Sequence, residues 1–463
     1  MIVGIRRNLR LQNKKLKMGL ISLGCAKNLV DSEVILGFFE QADFTRTTNP
    51  EEADILVVNT CGFIEAAKQE SIDAILEMAQ YKDRGRCRVL AVAGCLSRRY
   101  ADELTQEIPE IDVLVGVAEY PLLPDLVKKA LNGGKHNLVQ QCGFIYNENM
   151  PRVLATPPFM AYVKIAEGCA NRCSYCAIPL IRGPLNSRPI ASITAEVRQL
   201  CAKGVAEINV IAQDTTAYGL DLYGKPSLAD LLEQLVAIPD VQWLRVLYAY
   251  PNLIDDRLLE VFATHPQICR YLDLPLQHAD SELLSAMRRR GRPEQYLDLL
   301  GKIRAAVPGI ALRSSFIVGF PGETEQQFQT LLDFMAEAAF DYAGVFQYSA
   351  EENTPAADLP GQVSGTVKEE RYHRAMRQQA AITRKALAGR IGSESAFLCT
   401  GQRQQNGDNL ITGRVEWQAP DVDGITLLEG SRVKSGELIN VKITGSGDYD
   451  LRAARANENP KKE

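Results

Sequence analysis

The stretch EGCANRCSYCAIPLIRGP, residues 167–184, holds three cysteines, Cys169, Cys173 and Cys176, in the order C-x3-C-x2-C. Three thiolates this close in sequence can grip one metal centre. A structural zinc site, however, takes four ligands. The next cysteine, Cys201, falls in a predicted helix, and the next histidine is His265. The spacing therefore favours a four-iron cluster held by three cysteines, with one iron open to a small molecule. A zinc knuckle closed by a remote ligand is the competing reading.

A second triad lies upstream. Cys25, Cys61 and Cys95 each come just past an apolar run, in LISLGC, ILVVNTC and VLAVAGC. If the three runs are parallel strands of one sheet, the thiols emerge together at its carboxyl edge, where open α/β sheets bind ligands. Gly24 and Gly94 precede two of them and permit tight turns. Singly, each thiol reads as a core residue, since free cysteine is among the most buried types. Their shared placement points instead to a second cluster with an open iron. Cys87, Cys142, Cys201, Cys269 and Cys399 lack such placement and read as structural.

Periodicity supplies the elements that must position these loops. In residues 18–134, GLISL, ADILVVNT and RVLAVAG read as strands. DSEVILGFFEQ reads as a helix capped at Asp31 or Ser32, and AKQESIDAILEMAQ and SRRYADELTQEI as further helices. This is a small parallel α/β domain. Residues 135–154, with Gly, Asn and Pro clusters, read as a linker. Residues 155–386 carry six more βα units, with strands AYVKIA, EINVIA, WLRVLYA, RYLDLPL, IALRSSFIVGF and YAGVFQYS. Six units are too few for a closed eight-stranded barrel, so a partial (βα)6 barrel is expected, with the Cys169 loop at the carboxyl end of its first strand. A charged helix, KEERYHRAMRQQAAITRKALAGR, leads into residues 387–455. There ESAFLCTG, NLITGRVEWQA, GITLLEG and ELINVKITGSGDYDLRAA predict a small β-barrel. The fold class is therefore multidomain α/β with a terminal β-barrel. Residues 1–17 read as a disordered basic extension, with Met18 an alternative start, and 456–463 as a disordered tail.

Of the 463 residues, 46% are apolar, and the formal net charge is -5, with a pI near 5.7. Eleven cysteines in a long chain without a secretory segment suit a reducing cytoplasm and thiolates used as metal ligands. No run of eighteen apolar residues is present, so no membrane span is expected.

C-x3-C-x2-C with an aromatic, Tyr175, before its last cysteine resembles the radical S-adenosylmethionine (SAM) superfamily. There the open iron binds the amino and carboxylate groups of SAM. With the upstream triad and the terminal barrel, residues 18–455 resemble the methylthiotransferase family of these enzymes. That family joins a three-cysteine N-terminal domain, a radical SAM domain and a C-terminal TRAM barrel. ISLGCAKNLVDSE (Ile21 to Glu33), CAIPLIRGPLNSRP, PLQHAD and SSFIVGFPGETEQQF are similar to the branch called RimO, which methylthiolates an aspartate of ribosomal protein twelve of the small subunit. Asp280 stands where serine is usual, and Ser314 and Ser315 where threonines are common.

The resemblance implies two 4Fe-4S clusters, an auxiliary one on Cys25, Cys61 and Cys95 and a SAM-binding one on Cys169, Cys173 and Cys176. It implies two SAM molecules. One methylates sulfur at the auxiliary cluster, and the other gives the 5′-deoxyadenosyl radical that takes hydrogen from the aspartate β-carbon, yielding 3-methylthioaspartate. It also implies a low-potential electron donor such as flavodoxin or ferredoxin, and leaves the sulfur donor unidentified. Two rivals compete with this reading: a tRNA methylthiotransferase of the MiaB type, and a non-catalytic iron–sulfur electron carrier. Against the first stand the GCAKNLVDSE run and the terminal barrel, which has nine Lys or Arg and nine Asp or Glu between Lys385 and Arg455. An RNA face shows clustered basic charge, whereas an acidic chain attracts a basic ribosomal protein. Nucleic acid is therefore not expected as substrate. Against the second, carriers close their clusters with four cysteines.

Tyr175, Gln213, Asp214 and Gly319 are the candidates for touching SAM. The alternatives are loop packing for Tyr175, a strand-end turn for Gln213 and Asp214, and a helix-capping turn for Gly319 in GFPGE. His278 reads as a pocket group or a structural histidine. Arg288 to Arg290, at a predicted helix end, read as a solvated face.

Overall fold

The computed structural model describes residues 15–140, 142–405, 408–430 and 432–456. Of the readings made for 1–17 and 456–463, 1–14 and 457–463 lie outside the described residues, whereas Leu16 and Lys17 are ordered: Lys17 opens the first strand and Leu16 O accepts from Thr45 N at 2.8 Å. The chain divides into two units. The first comprises residues 1–144 with 149–153, and the second 145–148 with 154–463.

The first unit is a parallel sheet of six strands, β1 (Lys17–Ser22), β2 (Thr45–Arg46), β3 (Ile55–Thr60), β4 (Val89–Gly94), β5 (Val113–Val115) and β6 (His136–Leu138), in spatial order β2-β1-β3-β4-β5-β6. Every residue of β3 and β4 is buried, as expected for central strands of a sheet covered on both faces. The sequence shows only β1, β3 and β4, because strands of two or three residues carry no readable period. The stretch 135–154 is accordingly more than a linker. It contains β6, which pairs parallel with β5. Its Arg152 also forks onto the buried carboxylate of Glu33 through Nε at 2.9 Å and Nη2 at 2.6 Å. Tyr146 belongs to the second unit, where its hydroxyl donates to Glu196 at 3.1 Å.

The first helix, Ala26–Gln41, starts directly after Cys25 rather than at Asp31 or Ser32. Both of those residues are buried. The Ser32 hydroxyl serves the sheet instead of a helix end, donating to Ser22 Oγ at 2.7 Å and accepting from Asn59 Nδ2 at 2.8 Å. SRRYADELTQEI divides at Tyr100 into two short helices, Cys95–Arg99 and Ala101–Glu107.

The second unit opens with β7 (Met160–Lys164), then β8 (Ala166–Glu167), β9 (Asn186–Ser187), β10 (Glu207–Ile211), β11 (Trp243–Val246), β12 (Tyr271–Asp273), β13 (Ala311–Val318) and β14 (Tyr342–Gln347). Strands β7-β10-β11 and β12-β13-β14 form two parallel sheets, joined by a parallel bridge between Leu244 and Ile268. The result is the expected six-stranded partial barrel. Buried Val163, Ile208, Leu244, Leu272 and Phe316 belong to one core with the surrounding helices.

The terminal strands β15 (Glu394–Gln405), β16 (Asp408–Val415), β17 (Thr426–Leu428), β18 (Leu438–Ser446) and β19 (Leu451–Arg455) close into a barrel in the order β15-β16-β17-β19-β18. It sits against the amino ends of the partial-barrel strands, opposite the edge that carries the Cys169 loop. Glu207, first residue of β10, takes Arg245 Nε at 3.1 Å and Arg414 Nη1 at 3.0 Å. Arg245 Nη1 continues to Glu416 O at 2.8 Å, and Tyr162 Oη donates to Asp421 at 3.1 Å. Buried charges persist only where each is paired, and Glu207 is satisfied by one arginine from each barrel.

Asp423 lies in the same seam, 3.5 Å from Arg313 Nε. Burial pushes its carboxyl up to about 6 despite Arg313 beside it. The folded chain therefore holds this proton more tightly than the unfolded chain. The ionised carboxylate costs stability above pH 6, and the cost fades as pH falls toward 4. Asp423→Asn, which mimics the protonated form, is expected to melt above the parent at pH 8, with the gap closing between pH 6 and pH 4 in paired thermal melts. A constant gap across that range would contradict the assignment.

Candidate cluster sites

In the first unit, the turns after β1, β3 and β4 carry Cys25, Cys61 and Cys95. Cys25 is exposed, Cys61 half-buried and Cys95 buried. Cys25 caps helix Ala26–Gln41, Cys61 precedes helix Glu65–Ala79, and Cys95 opens Cys95–Arg99. The three turns crowd together. A Cβ on Gly24, which has φ +85°, would stand 2.9 Å from Cys61 Sγ, and one on Gly62 would stand 3.0 Å from the carbonyl carbon of Cys95. Only bare backbone fits at these two approaches.

A buried amide network fixes this convergence. Asn28 Nδ2 donates to Leu23 O at 2.6 Å and to Asn59 O and Thr60 O at 3.3 Å each, tying the Cys25 turn to the Cys61 turn. Asn59 Nδ2 returns a bond to Asn28 O at 3.0 Å. Thr60 Oγ1 donates to Ala93 O at 2.6 Å, tying the Cys61 turn to the Cys95 turn. Ser71 Oγ accepts from Cys61 N at 3.0 Å and donates to Cys61 O at 2.9 Å, and Arg99 Nη1 donates to Gly62 O at 2.8 Å. Asn28 and Ser71 carry no readable signal as positioning groups. Polar residues inside helices look like solvated faces until the sheet edge is known.

In the second unit, the Cys169 loop leaves β8 and returns at β9, and the two short strands pair antiparallel at its base. Cys169 N donates to Gly183 O at 3.2 Å, and Cys176 N to Cys173 O at 3.2 Å. Ser174 binds the end of helix Ser281–Ala286 through Oγ to Ala286 O at 2.7 Å and N to Met287 O at 3.0 Å. Burial pushes the Cys169 thiol up to about 11 and the Cys176 thiol to about 12, so metal binding there must displace protons. Among the described residues, no group of three His, Cys, Asp or Glu stands placed to hold a single metal ion. A four-iron cube takes each thiolate on a different iron.

The proposed SAM contacts divide. Gln213 Nε2 donates to Glu167 Oε1 at 2.8 Å, while its own Oε1 is buried without a hydrogen-bond partner among the described residues. An acceptor held this way fits an ammonium donor. Burial opposes the charge on Glu167, but Lys164 and Arg182 outweigh it and hold the carboxyl below the usual range. Asp214 is committed to the protein: Asn171 Nδ2 donates to Oδ2 at 2.6 Å, and Thr216 Oγ1 and Ala217 N donate to Oδ1 at 2.7 and 3.1 Å. It anchors the cysteine loop, and burial pushes its carboxyl up.

Gly319 meets the chain itself, since a Cβ there would stand 2.3 Å from Lys368 Cγ. The GFPGE turn is built on Glu323, whose Oε2 accepts from Gly319 N and from Phe320 N. His278 is fully buried, with Nδ1 accepting from Asp280 N at 3.0 Å and Nε2 3.9 Å from Glu323 Oε1. Tyr175 packs against the cluster of Leu283, Met287, Phe320, Tyr348 and Ala356. The solvated reading of Arg288 to Arg290 fails for Arg289. That residue is buried, with Nη1 3.8 Å from Cys173 Sγ and 3.4 Å from Tyr175 Oη.

Three family models match along the chain. Residues 17–116 match the model described as "Uncharacterized protein family UPF0004", 163–335 the radical SAM superfamily, and 391–455 the TRAM domain. The chain is 52% identical to the ribosomal protein uS12 methylthiotransferase RimO of Desulforamulus reducens, over 94% of this chain and 98% of that one. It is 47% identical to the RimO of Geobacter sulfurreducens, over 95% and 99%. Among solved structures, the radical SAM methyltransferase TsrM of Kitasatospora setae aligns with a TM-score of 0.54 at 16% identity, covering 74% of this chain and 75% of that one. The cobalamin-dependent radical enzyme OxsB aligns at 0.51 and 13%, covering 80% and 56%. At such identities these two speak for the fold alone.

The amide network makes a measurable claim. Asn28→Ala removes a donor from Leu23 O and Thr60 O, while Asn59 O keeps the bond from Leu23 N; a buried carbonyl left unpaired costs about 1–3 kcal/mol. Loosening the turns is expected to lower the iron retained by the first unit, while Cys169, Cys173 and Cys176 keep theirs. Iron and sulfide analysis after anaerobic reconstitution checks this; full iron in the variant would show that the network does not position the thiols.

Proposed function

The chain belongs to the RimO family of ribosomal protein uS12 methylthiotransferases, and on that premise we propose how its residues divide the work. It is a radical SAM enzyme that transfers a methylthio group to uS12, the twelfth protein of the small subunit, converting an aspartate to 3-methylthioaspartate with the aid of SAM and 4Fe-4S clusters. The observation that carries this is near-full-length identity of about half to relatives of that one name, joined to two thiol triads at strand carboxyl ends.

When bound, the clusters and two SAM molecules supply a 5′-deoxyadenosyl radical that takes hydrogen from the aspartate β-carbon and a methylated sulfur that joins that carbon. The protein's part is holding and orienting. Cys169, Cys173 and Cys176 would hold the SAM-binding cluster, and Cys25, Cys61 and Cys95 the auxiliary one. Glu167, pinned between Lys164 and Arg182, fixes the Gln213 amide so that its free oxygen presents to the SAM ammonium. Asp214 acts one step back, through Asn171, on the shape of the cysteine loop. Tyr175 packs under the loop beside the GFPGE turn. Gly319 allows the close approach of Lys368, so its place in the site is steric.

A low-potential one-electron donor of the flavodoxin or ferredoxin kind would supply the reducing equivalent. Among the described residues, no helix is long and apolar enough to cross a membrane, and the cytoplasm, where ribosomal protein is found, is the proposed location. The terminal barrel contributes to the partial barrel's far end through Arg414, Glu416, Asp421 and Asp423, so its first task is structural.

The two triads are expected to be separable. Cys173→Ala should abolish formation of 5′-deoxyadenosine and everything after it. The triple change Cys25→Ala, Cys61→Ala, Cys95→Ala should still form 5′-deoxyadenosine yet give no methylthioaspartate. Chromatography of the nucleoside, with mass spectrometry of a uS12 peptide, reads both. Methylthiolation by the triple variant at the parent's level would return those thiols to the core.

A further inference from the structure

Arg289 is 7% exposed, and among the described residues no carboxylate pairs with it. Its Nη2 donates to Pro275 O at 2.5 Å, its guanidinium lies 4.4 Å over the Tyr250 ring, and its buried Nε has no partner. Further neighbours are the sulfur of Cys173 at 3.8 Å, the hydroxyl of Tyr175 at 3.4 Å and the hydroxyl of Tyr296, all of them neutral when protonated. A buried guanidinium without an anion is strongly destabilising, so the site as folded calls for a negative partner beside Cys173.

The backbone aims the side chain there. Helix Ser281–Ala286 ends with Arg288 at φ +54°. Arg288 N donates to Ser285 O at 2.9 Å and Arg289 N to Leu284 O at 2.8 Å. This pair of bonds is a Schellman turn, which normally puts glycine at the left-handed position. An arginine held there instead costs backbone strain. Met287 and Ala286, in the same turn, receive Ser174 of the cysteine loop. The turn therefore locks Arg289 and the Cys173–Tyr175 segment into one rigid piece.

We infer that Arg289 is the fixed counter-cation of the cluster on Cys169, Cys173 and Cys176, a positioning residue that raises the cluster's reduction potential. The inference rests on the reading that this triad holds the cluster. A cube with three thiolates is anionic, and reduction adds one electron and one negative charge without making or breaking a bond. A buried cation at one ligand sulfur favours the reduced form, and charge and hydrogen bonds at the sulfurs are the levers that set such potentials.

The test uses the full-length chain carrying Cys25→Ala, Cys61→Ala and Cys95→Ala, so that one cluster remains. Its midpoint is measured by anaerobic redox titration, read by electron paramagnetic resonance, for Arg289, Arg289→Met and Arg289→Lys. Arg289→Met is expected to shift the reduced-to-oxidised ratio at fixed potential at least tenfold toward oxidised, about 59 mV for one electron. Arg289→Lys is expected to stay within threefold of the parent. Loss of iron by the Met variant alone, with parental circular dichroism, would also support the charge role. A Met variant with full iron and an unchanged midpoint would overturn it. So would equal shifts in both variants, loss of iron in both, or unfolding of both. Cys173→Ala in the same background must lose the signal; if it does not, the ligand assignment fails rather than the role of Arg289.

Discussion

Three thiolates gathered on one iron–sulfur cube would concentrate negative charge inside a protein, and on the proposed reading that is the requirement both units of this chain must meet. The sulfurs must converge from separate backbone segments, and the charge must be met by something other than water. Parallel strands solve the first problem. Their carboxyl ends lie side by side, so a cysteine placed just past each of β1, β3 and β4 reaches the same edge. In the second unit, a single loop closed at its base by β8 and β9 does the same within eight residues.

The two sites meet the geometric demand by different means. Around Cys25, Cys61 and Cys95, the side chains of Asn28, Thr60 and Ser71 bond directly to the backbone of the turns, and glycines let the turns touch. Around Cys169, Cys173 and Cys176, the loop is held from outside, by Asp214 through Asn171 and by the helix end under Ser174. In the second unit Arg289, beside Cys173, is the cation proposed to meet the charge demand. At the opposite end of the partial barrel, paired ions at Glu207, Arg245 and Arg414 seat the terminal barrel.

What could be read from the sequence follows from period and length. The six strands of the partial barrel were legible, and so was the placement of Cys25, Cys61 and Cys95 just past three strands of one sheet, because each follows a long apolar run. Strands β2, β5 and β6 were not, being too short for any alternation to appear. Asp31 and Ser32 look like a helix start because short polar side chains cap helices; here they face the sheet, and Cys25 begins the helix. Arg289 was hidden for a sharper reason. A run of three arginines reads as solvated, and only the left-handed turn at Arg288 decides that the next one goes inward. Gln213 and Asp214, alike in sequence as a strand-end polar pair, part company through partners far along the chain: Glu167 for one, and Asn171 for the other.

The central claim is that the chain holds two clusters, one on each triad, each leaving an iron for something other than cysteine. Iron and sulfide counts on anaerobically reconstituted full-length protein test it most directly, comparing the parent with each triple cysteine-to-alanine variant and with the sixfold variant. About eight irons are expected in the parent, about four in either triple variant and none in the sixfold one. A parent that saturates near four irons, or a triple variant that keeps the full complement, would contradict it.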